Sequence, residues 1–173
     1  WEVLLQKNEP QKKDYYPELD DIWTIVFTSG TTGDPKGVVL DYRTIYLTKI
    51  IVESDVNPLG MDRNGNNSFF SYLPLNHIFE RVDLEFQCMR YGGTMSFVES
   101  LESFPKNLAD VQPTTFAGVP RIYNKFKDKI LEKMPQKRLN FLLSVPIISS
   151  LIKKKIRKSL GWSNANAIVS GAA

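Results

Sequence analysis

A chain of 173 residues is long enough for one domain with a core of its own. Its 42% hydrophobic and 24% charged content is ordinary for a globular protein, with neither an internal repeat nor a low-complexity tract. The net charge is only +3, and the single cysteine, Cys88, excludes an internal disulfide and fits a reducing compartment. There is no secretory signal pattern, and the chain opens on Trp1 rather than methionine, so it is expected to be a piece of something longer.

Residues 6–21 are polar and carry Pro10 and Pro17, which predicts an extended lead-in. Ile22–Thr28 and Val38–Leu40 are apolar and β-branched and predict two strands. Asp41 is the N-cap expected of a helix to about Ser54, with Ile45, Lys49 and Val52 spaced along it. Asn57–Asn67, rich in Asn and Gly, predicts an exposed, turn-rich loop. Ser68–Leu73 reads as a short aromatic strand ended by Pro74, and a helix is expected from Leu75 to Tyr91, stopped by Gly92-Gly93. Thr94–Val98 predicts a strand. A short helix then starts at Ser103 or Phe104 and ends before Pro113. Thr114–Val119 is the next strand. Pro120 opens a helix to about Lys133, two more helical stretches follow around Pro146, and Gly161 closes the last. Ile168-Val169 begins a final strand. Strands and helices alternating at crossover spacing predict an α/β fold with a mainly parallel sheet and crossover helices, preceded by a strand–loop–strand unit.

The loop of that unit, Thr28-Ser-Gly-Thr-Thr-Gly-Asp-Pro-Lys-Gly37, concentrates hydroxyls, glycines and one ammonium, the donors that phosphate oxygens need. On residue types alone it fits either a phosphate-binding loop or a Gly/Thr-rich surface hairpin. It is close to a Walker A loop, but Pro35 stands where that motif has its second glycine and Gly37 where it has the Ser or Thr that binds magnesium. A strand rather than a helix follows it, so any grip on phosphate must come from the loop itself.

From Phe27 to Val38 the chain meets, without a gap, the pattern Tyr/Phe-Thr-Ser-Gly-Ser/Thr-Thr-Gly-x-Pro-Lys-Gly-Val, and so resembles the adenylate-forming (acyl-activating) enzymes. Leu73-Pro-Leu-Asn-His-Ile-Phe-Glu-Arg81 resembles a second family segment. Pro113-Thr-Thr-Phe-Ala-Gly-Val-Pro-Arg-Ile-Tyr123 resembles a third, found in the long-chain fatty acyl-CoA synthetases, and Val169–Ala173 resembles the strand leading toward the adenine site. The resemblance covers roughly residues 22–173 and implies part of the large N-terminal domain of an acyl-CoA synthetase. In that reading 1–173 is a partial AMP-binding domain: a lead-in (1–21), the strand–phosphate loop–strand unit (22–40) and an α/β portion (41–173).

The resemblance implies a long-chain fatty acid–CoA ligase. A fatty acid carboxylate attacks the α-phosphate of ATP, releasing pyrophosphate, and coenzyme A opens the acyl-adenylate to a thioester. Thr28, Ser29, Gly30, Thr31, Thr32, Gly33, Lys36 and Gly37 would bind the nucleotide: Ser29, Thr31, Thr32 and Lys36 at its pyrophosphate end with Thr28 beside them, the three glycines letting the backbone wrap it, and Lys36 and His77 as the catalytic residues. His77, the chain's only histidine, would sit beside the acyl-adenylate, although a lone histidine also fits a structural helix start. Gly118, Val119 and Pro120 would line the acyl tunnel; a strand end entering a helix is their bland reading. Arg121 fits an anion contact or a surface helix start, and Cys88 a small core residue. ATP, Mg2+ and coenzyme A are the implied small molecules. No metal ligand is assigned within the chain, because the adenine- and metal-associated segments and the catalytic lysine are expected beyond Ala173, and the piece alone is expected to be inactive. The alternatives are a non-catalytic nucleotide-binding or membrane-associating module, and an acyl-activating enzyme for another carboxylate.

Residues 121–158 hold 12 Lys and Arg against Asp128 and Glu132, so this stretch carries +10 and the rest of the chain −7. A solvated helical face and a membrane-surface contact through 141–158 are the two main readings; nucleic-acid binding lacks any accompanying motif. The longest apolar run, residues 141–152, is too short to span a bilayer, which takes about 20 residues. These features lead us to expect a cytoplasmic protein, peripheral at a membrane, and leave its oligomeric state and acyl chain length open.

Overall fold

The computed structural model describes residues 2–9, 14–28 and 34–171. The chain falls into two compact units, Trp1–Leu47 and Thr48–Ala173.

The first unit begins with a correction. The lead-in expected to be extended over 6–21 starts inside a six-residue helix, α1 (Glu2–Lys7), with Glu2 in its first turn and Lys7 in its last. Both charges complement the helix dipole. Its Val3, Leu4 and Leu5 are all exposed, so there is no buried face to give the segment a readable period. The strands β1 (Ile22–Thr28) and β2 (Lys36–Asp41) pair antiparallel from Ile22↔Asp41 to Thr28↔Lys36, with a register irregularity between Ile22 and Thr24. Asp41 ends β2 and caps α2 (Tyr42–Glu53), its Oδ1 accepting the Thr44 N–H and Oγ1–H, both at 3.0 Å. This bond to the third helical residue is the N-cap expected from the sequence.

The second unit is built on a four-stranded sheet in the order β4-β3-β5-β6, where β3 is Ser68–Ser71, β4 Thr94–Phe97, β5 Thr115–Gly118 and β6 Ala167–Ser170. Every neighbouring pair is parallel. Alternate side chains reach opposite faces. On one face Phe70 and Phe116 join Tyr72, Phe104, Leu108 and Phe126; on the other Phe69 joins Val52, Met61 and Leu84. The first face is covered by α4 (Phe104–Val111) and α5 (Pro120–Lys133), the second by the end of α2 and the helix leading into α3 (Phe86–Tyr91).

Two expectations need correcting here. The Asn57–Asn67 loop is not simply exposed, since Met61 is a core residue and Asn67 is only 4% accessible. The Asn67 side chain accepts from Asp62 N at 2.8 Å and donates to Asp62 O and Gly92 O, so its polarity is satisfied inside the fold. The helix expected from Leu75 begins in fact near Ile78, and Glu80–Glu85 is π-helical, with Phe86 N–H bonded to Arg81 O five residues back.

Two further helices, α6 (Gln136–Ser144) and α7 (Pro146–Ser159), lie between α5 and β6. Gly161, at φ +77°, ends α7: its N–H bonds Lys158 O at 3.2 Å and Trp162 N–H bonds Arg157 O at 2.7 Å. That pair of bonds is a Schellman motif, which the glycine expected to close this helix makes accessible.

Candidate functional site

The hairpin brings part of the expected phosphate loop into view. Thr28 and Lys36 are opposite one another at the open end of β1–β2, and Thr28 Oγ1–H points to Lys36 O at 3.5 Å. Both side chains are exposed, so a hydroxyl and an ammonium flank the loop's stem. Gly37 pairs with Phe27, and a Cβ there would lie 3.0 Å from Ile25 Cγ2 and 3.4 Å from the Phe27 ring. The glycine therefore makes room for its own cross-strand neighbours. Ser29, Gly30, Thr31, Thr32 and Gly33 lie outside the described residues.

In the second unit the sheet order creates a reversal. The chain steps from β3 to β4 in one direction, then crosses back to β5 on the other side of β3 and continues to β6. The connecting helices accordingly sit on opposite faces, as constant crossover handedness requires. Ligands of such sheets bind beyond the carboxyl ends of the strands where the winding reverses, here β3 and β5. His77 lies on the segment leaving β3, and Gly118, Val119 and Pro120 form the end of β5 and its exit into α5. The expected substrate residues of this unit thus share one edge of the sheet.

Side chains unnoticed in the sequence hold that edge together. Tyr72 Oη, just past β3, donates to Ala117 O in β5 at 3.4 Å, and Tyr123 Oη on α5 donates to Val169 O in β6 at 2.6 Å. Burial raises both phenols, that of Tyr123 to about 12, so they serve as fixed donors. Gly118 is packed beneath Tyr123: an added Cβ would lie 3.1 Å from Tyr123 Cε2 and 3.2 Å from Phe116 Cε1.

The β3 exit is tied by a carboxylate. Glu80 is fully buried, and its Oε1 accepts Leu73 N–H at 2.7 Å and Tyr72 N–H at 3.1 Å. Between these anchors His77 N–H bonds Pro74 O at 2.8 Å, closing a turn. The half-buried His77 ring accepts Phe79 N–H on Nδ1 at 3.3 Å, capping the helix that follows. The histidine starts a helix, as its structural reading expects, and it lies on the segment leaving β3.

The remaining candidates are quieter. Arg121 is exposed at the start of α5. Cys88 packs against the Phe69 cluster, where burial raises its thiol, as befits a core residue. A depression of about 550 Å³ lined by Glu53, Phe86, Met89, Arg90 and Tyr91 shares no residue with the expected site. Among the described residues no group of three His, Cys, Asp or Glu could hold a metal ion.

A family model described as AMP-binding enzyme matches residues 2–168. The chain belongs to the AMP-binding enzyme family. Among curated relatives, Long-chain-fatty-acid--CoA ligase 5 of Mus musculus is 33% identical over 87% of this chain and 22% of its own length. Long-chain-fatty-acid--CoA ligase 2 of Schizosaccharomyces pombe is 36% identical over 76% of this chain and 19% of its length. Long chain acyl-CoA synthetase 2 of Arabidopsis thaliana is 30% identical over 98% and 28%. The chain therefore spans about a quarter of the length of the curated relatives it matches.

Solved structures of AMP-binding and other adenylate-forming enzymes share the fold. The N-terminal domain of FACL13 from Mycobacterium tuberculosis superposes with a TM-score of 0.54 at 19% identity, over 96% of this chain and 34% of that one. A red-emitting luciferase from Phrixothrix hirtus gives 0.60 at 19% identity, over 99% and 29%. The α/β fold expected from the sequence is that of the N-terminal domain of these enzymes.

Proposed function

We propose that the protein carrying this chain is a long-chain fatty acid–CoA ligase. A carboxylate oxygen of the fatty acid attacks the α-phosphorus of ATP, and the bond to pyrophosphate breaks. The coenzyme A thiol, on losing its proton, then attacks the acyl carbon and displaces AMP. The reading rests on one observation: three motif segments keep family order and spacing, and two of them fall at the carboxyl ends of the strands flanking the winding reversal. Relatives named as long-chain ligases support the choice of acid.

In this reading Ser29, Thr31, Thr32 and Lys36 hold the pyrophosphate end of ATP with Thr28 beside them, and Gly30, Gly33 and Gly37 let the backbone wrap it. An exposed ammonium and hydroxyl at the hairpin mouth suit the charge that builds on that leaving group. His77 contacts the activated carboxyl, while Gly118, Val119 and Pro120 border the acyl chain. Magnesium would arrive with the nucleotide, and the described residues offer it no group of three His, Cys, Asp or Glu. The test is ATP–pyrophosphate exchange and thioester formation by the protein over a panel of carboxylic acids. Exchange driven best by long-chain fatty acids is expected; exchange with aryl or amino acids alone would overturn the reading.

The finer partner reading is a peripheral contact with an anionic membrane surface through 141–158, in keeping with a cytoplasmic protein. Phe141, Ile147 and Leu151 are 68%, 78% and 65% exposed, and the exposed Lys154, Lys155 and Lys158 follow on the outward side of α7. Apolar side chains beside lysines suit the headgroup boundary of such a surface. No helix of the described residues is long and apolar enough to cross a membrane. Co-sedimentation with anionic but not zwitterionic vesicles is expected, and Leu151→Asp should weaken it.

A further inference from the structure

The chain turns from β5 into α5 within two residues, and the angle of that turn has to be fixed by something. Val119 is the extended N-cap of α5 (φ −73°, ψ 152°), Pro120 is its first residue, and the Ile122 N–H bonds Val119 O at 2.9 Å. Helix entries are commonly fixed by a staple, in which an apolar side chain just before the cap packs on the fourth helical residue. Here those two positions are Gly118 and Tyr123, so one half of the staple has no side chain. The Tyr123 ring fills the space instead: a Cβ on Gly118 would lie 3.1 Å from Tyr123 Cε2 and 3.2 Å from Phe116 Cε1.

Lying against that bare backbone, the ring extends to the next strand, where its hydroxyl donates to Val169 O at 2.6 Å. Gly118↔Ser170 is the last pair of the β5–β6 ladder, so this bond ties the helix to the sheet at the point where backbone pairing stops. Burial pushes the phenol up to about 12, so Tyr123 keeps the proton that the bond needs. Phe116, Phe126 and Trp162 hold the ring itself, at 6.1, 6.5 and 6.0 Å between ring centres. The aromatic neighbours thus keep the ring in the core, and the hydroxyl decides how far across the sheet it reaches.

We propose that Tyr123 is a positioning residue for the acyl site: by seating its ring on Gly118 and bonding Val169 O, it sets the angle at which Gly118, Val119 and Pro120 leave the sheet. The inference deepens the ligase reading and rests on it for the ligand that those three residues border, a fatty acyl chain. It gives Tyr123 no contact with the reacting atoms. Its effect therefore falls on how well the acid is seated and not on the chemical step.

Tyr123→Phe keeps the ring among its aromatic neighbours and removes only the bond to Val169. In ATP–pyrophosphate exchange by the full protein, the KM for a long-chain fatty acid is expected to rise about fivefold, the weight of one hydrogen bond. The kcat and the KM for ATP should stay as they were. A hydroxyl that served stability alone would lower the melting temperature and leave both KM values in place. An unmoved KM for the acid, or equal rises in both KM values, would overturn the inference.

The packing beneath it is tested without any activity. Gly118→Ala should lower the urea midpoint when Tyr123 is present, because its Cβ meets the ring. The loss should be smaller in a Tyr123→Leu background, where only the Phe116 contact remains. Equal losses in the two backgrounds would show that the ring does not occupy the space the glycine leaves, and would sink the proposal. If the wild-type protein activates no carboxylate, the ligase reading falls and the acyl role of Tyr123 with it. Normal exchange with an unmoved acid KM in Tyr123→Phe removes the inference alone.

Discussion

At the scale of single residues, Lys36 carries the sharpest consequence. It stands opposite Thr28 at the hairpin mouth with its ammonium exposed, so its removal should disturb chemistry far more than folding. Lys36→Ala is expected to lower kcat for pyrophosphate exchange about a hundredfold or more while the thermal melt stays within a degree or two, the signature of a lost transition-state contact. Rates near wild type would place the pyrophosphate elsewhere. Such a residue can be proposed from sequence because its neighbours are local: hydroxyls, glycines and a lysine in ten positions suit phosphate. Glu80, Tyr72 and Gln112 were not legible. Glu80 acts on amides seven and eight residues away, and Tyr72 reaches a carbonyl 45 residues on. Gln112, in left-handed conformation at φ +50°, donates to Ala109 O and Lys158 O and accepts Ser163 N–H, bonds that only the assembled fold brings together.

At the scale of elements, the helices after β5 were predictable nearly to the residue because prolines and a glycine mark them: Pro120 opens α5, Pro146 opens α7, and Gly161 closes it. The π-helical turn had no such mark, since its residues also fit an ordinary amphipathic helix. That turn carries Asp83, whose carboxyl is pushed up to about 6 by burial. The folded protein therefore holds this proton more tightly than the unfolded chain, and the stability it contributes is lost as pH rises from about 4 to about 6. Asp83→Asn should raise stability at pH 7.5, by at most about 3 kcal/mol for two pH units, and change little at pH 4. Urea midpoints at the two pH values check this; equal gains at both would remove burial of the charge as the cause.

At the scale of the whole molecule, the second unit depends on an aromatic cluster on one face of its sheet. Phe116, 1% exposed in β5, lies 5.8 Å from Trp162, 6.1 Å from Tyr123 and 6.2 Å from both Tyr72 and Phe126, ring centre to ring centre. Phe116→Ala should cost about 3–5 kcal/mol, read as a loss of melting temperature with an unchanged far-ultraviolet spectrum below the transition. Gly161→Ala is expected to cost upward of about 2 kcal/mol, from a left-handed backbone and a clash. Its Cβ would fall 2.2 Å from Leu108 O. The parallel sheet and its crossovers were readable from alternating elements, but the β4-β3-β5-β6 order was not, because nothing local in a strand records which neighbour it pairs with. Yet that order makes an edge carrying His77 and Gly118 meaningful.

The π-helical turn makes the orientation of that edge a matter of counting. A π turn holds about one residue more than an α turn, so Glu80–Glu85 stores a single surplus residue between the β3 exit and α3. Removing one residue there would let the helix relax to ordinary geometry with its two flanks still in phase, whereas removing one from α3 itself would swing everything before it by about 100° around the axis. In that second case Glu80 would leave the Tyr72 and Leu73 amides. A one-residue change of length outside the wide turn would uncouple the edge from the core.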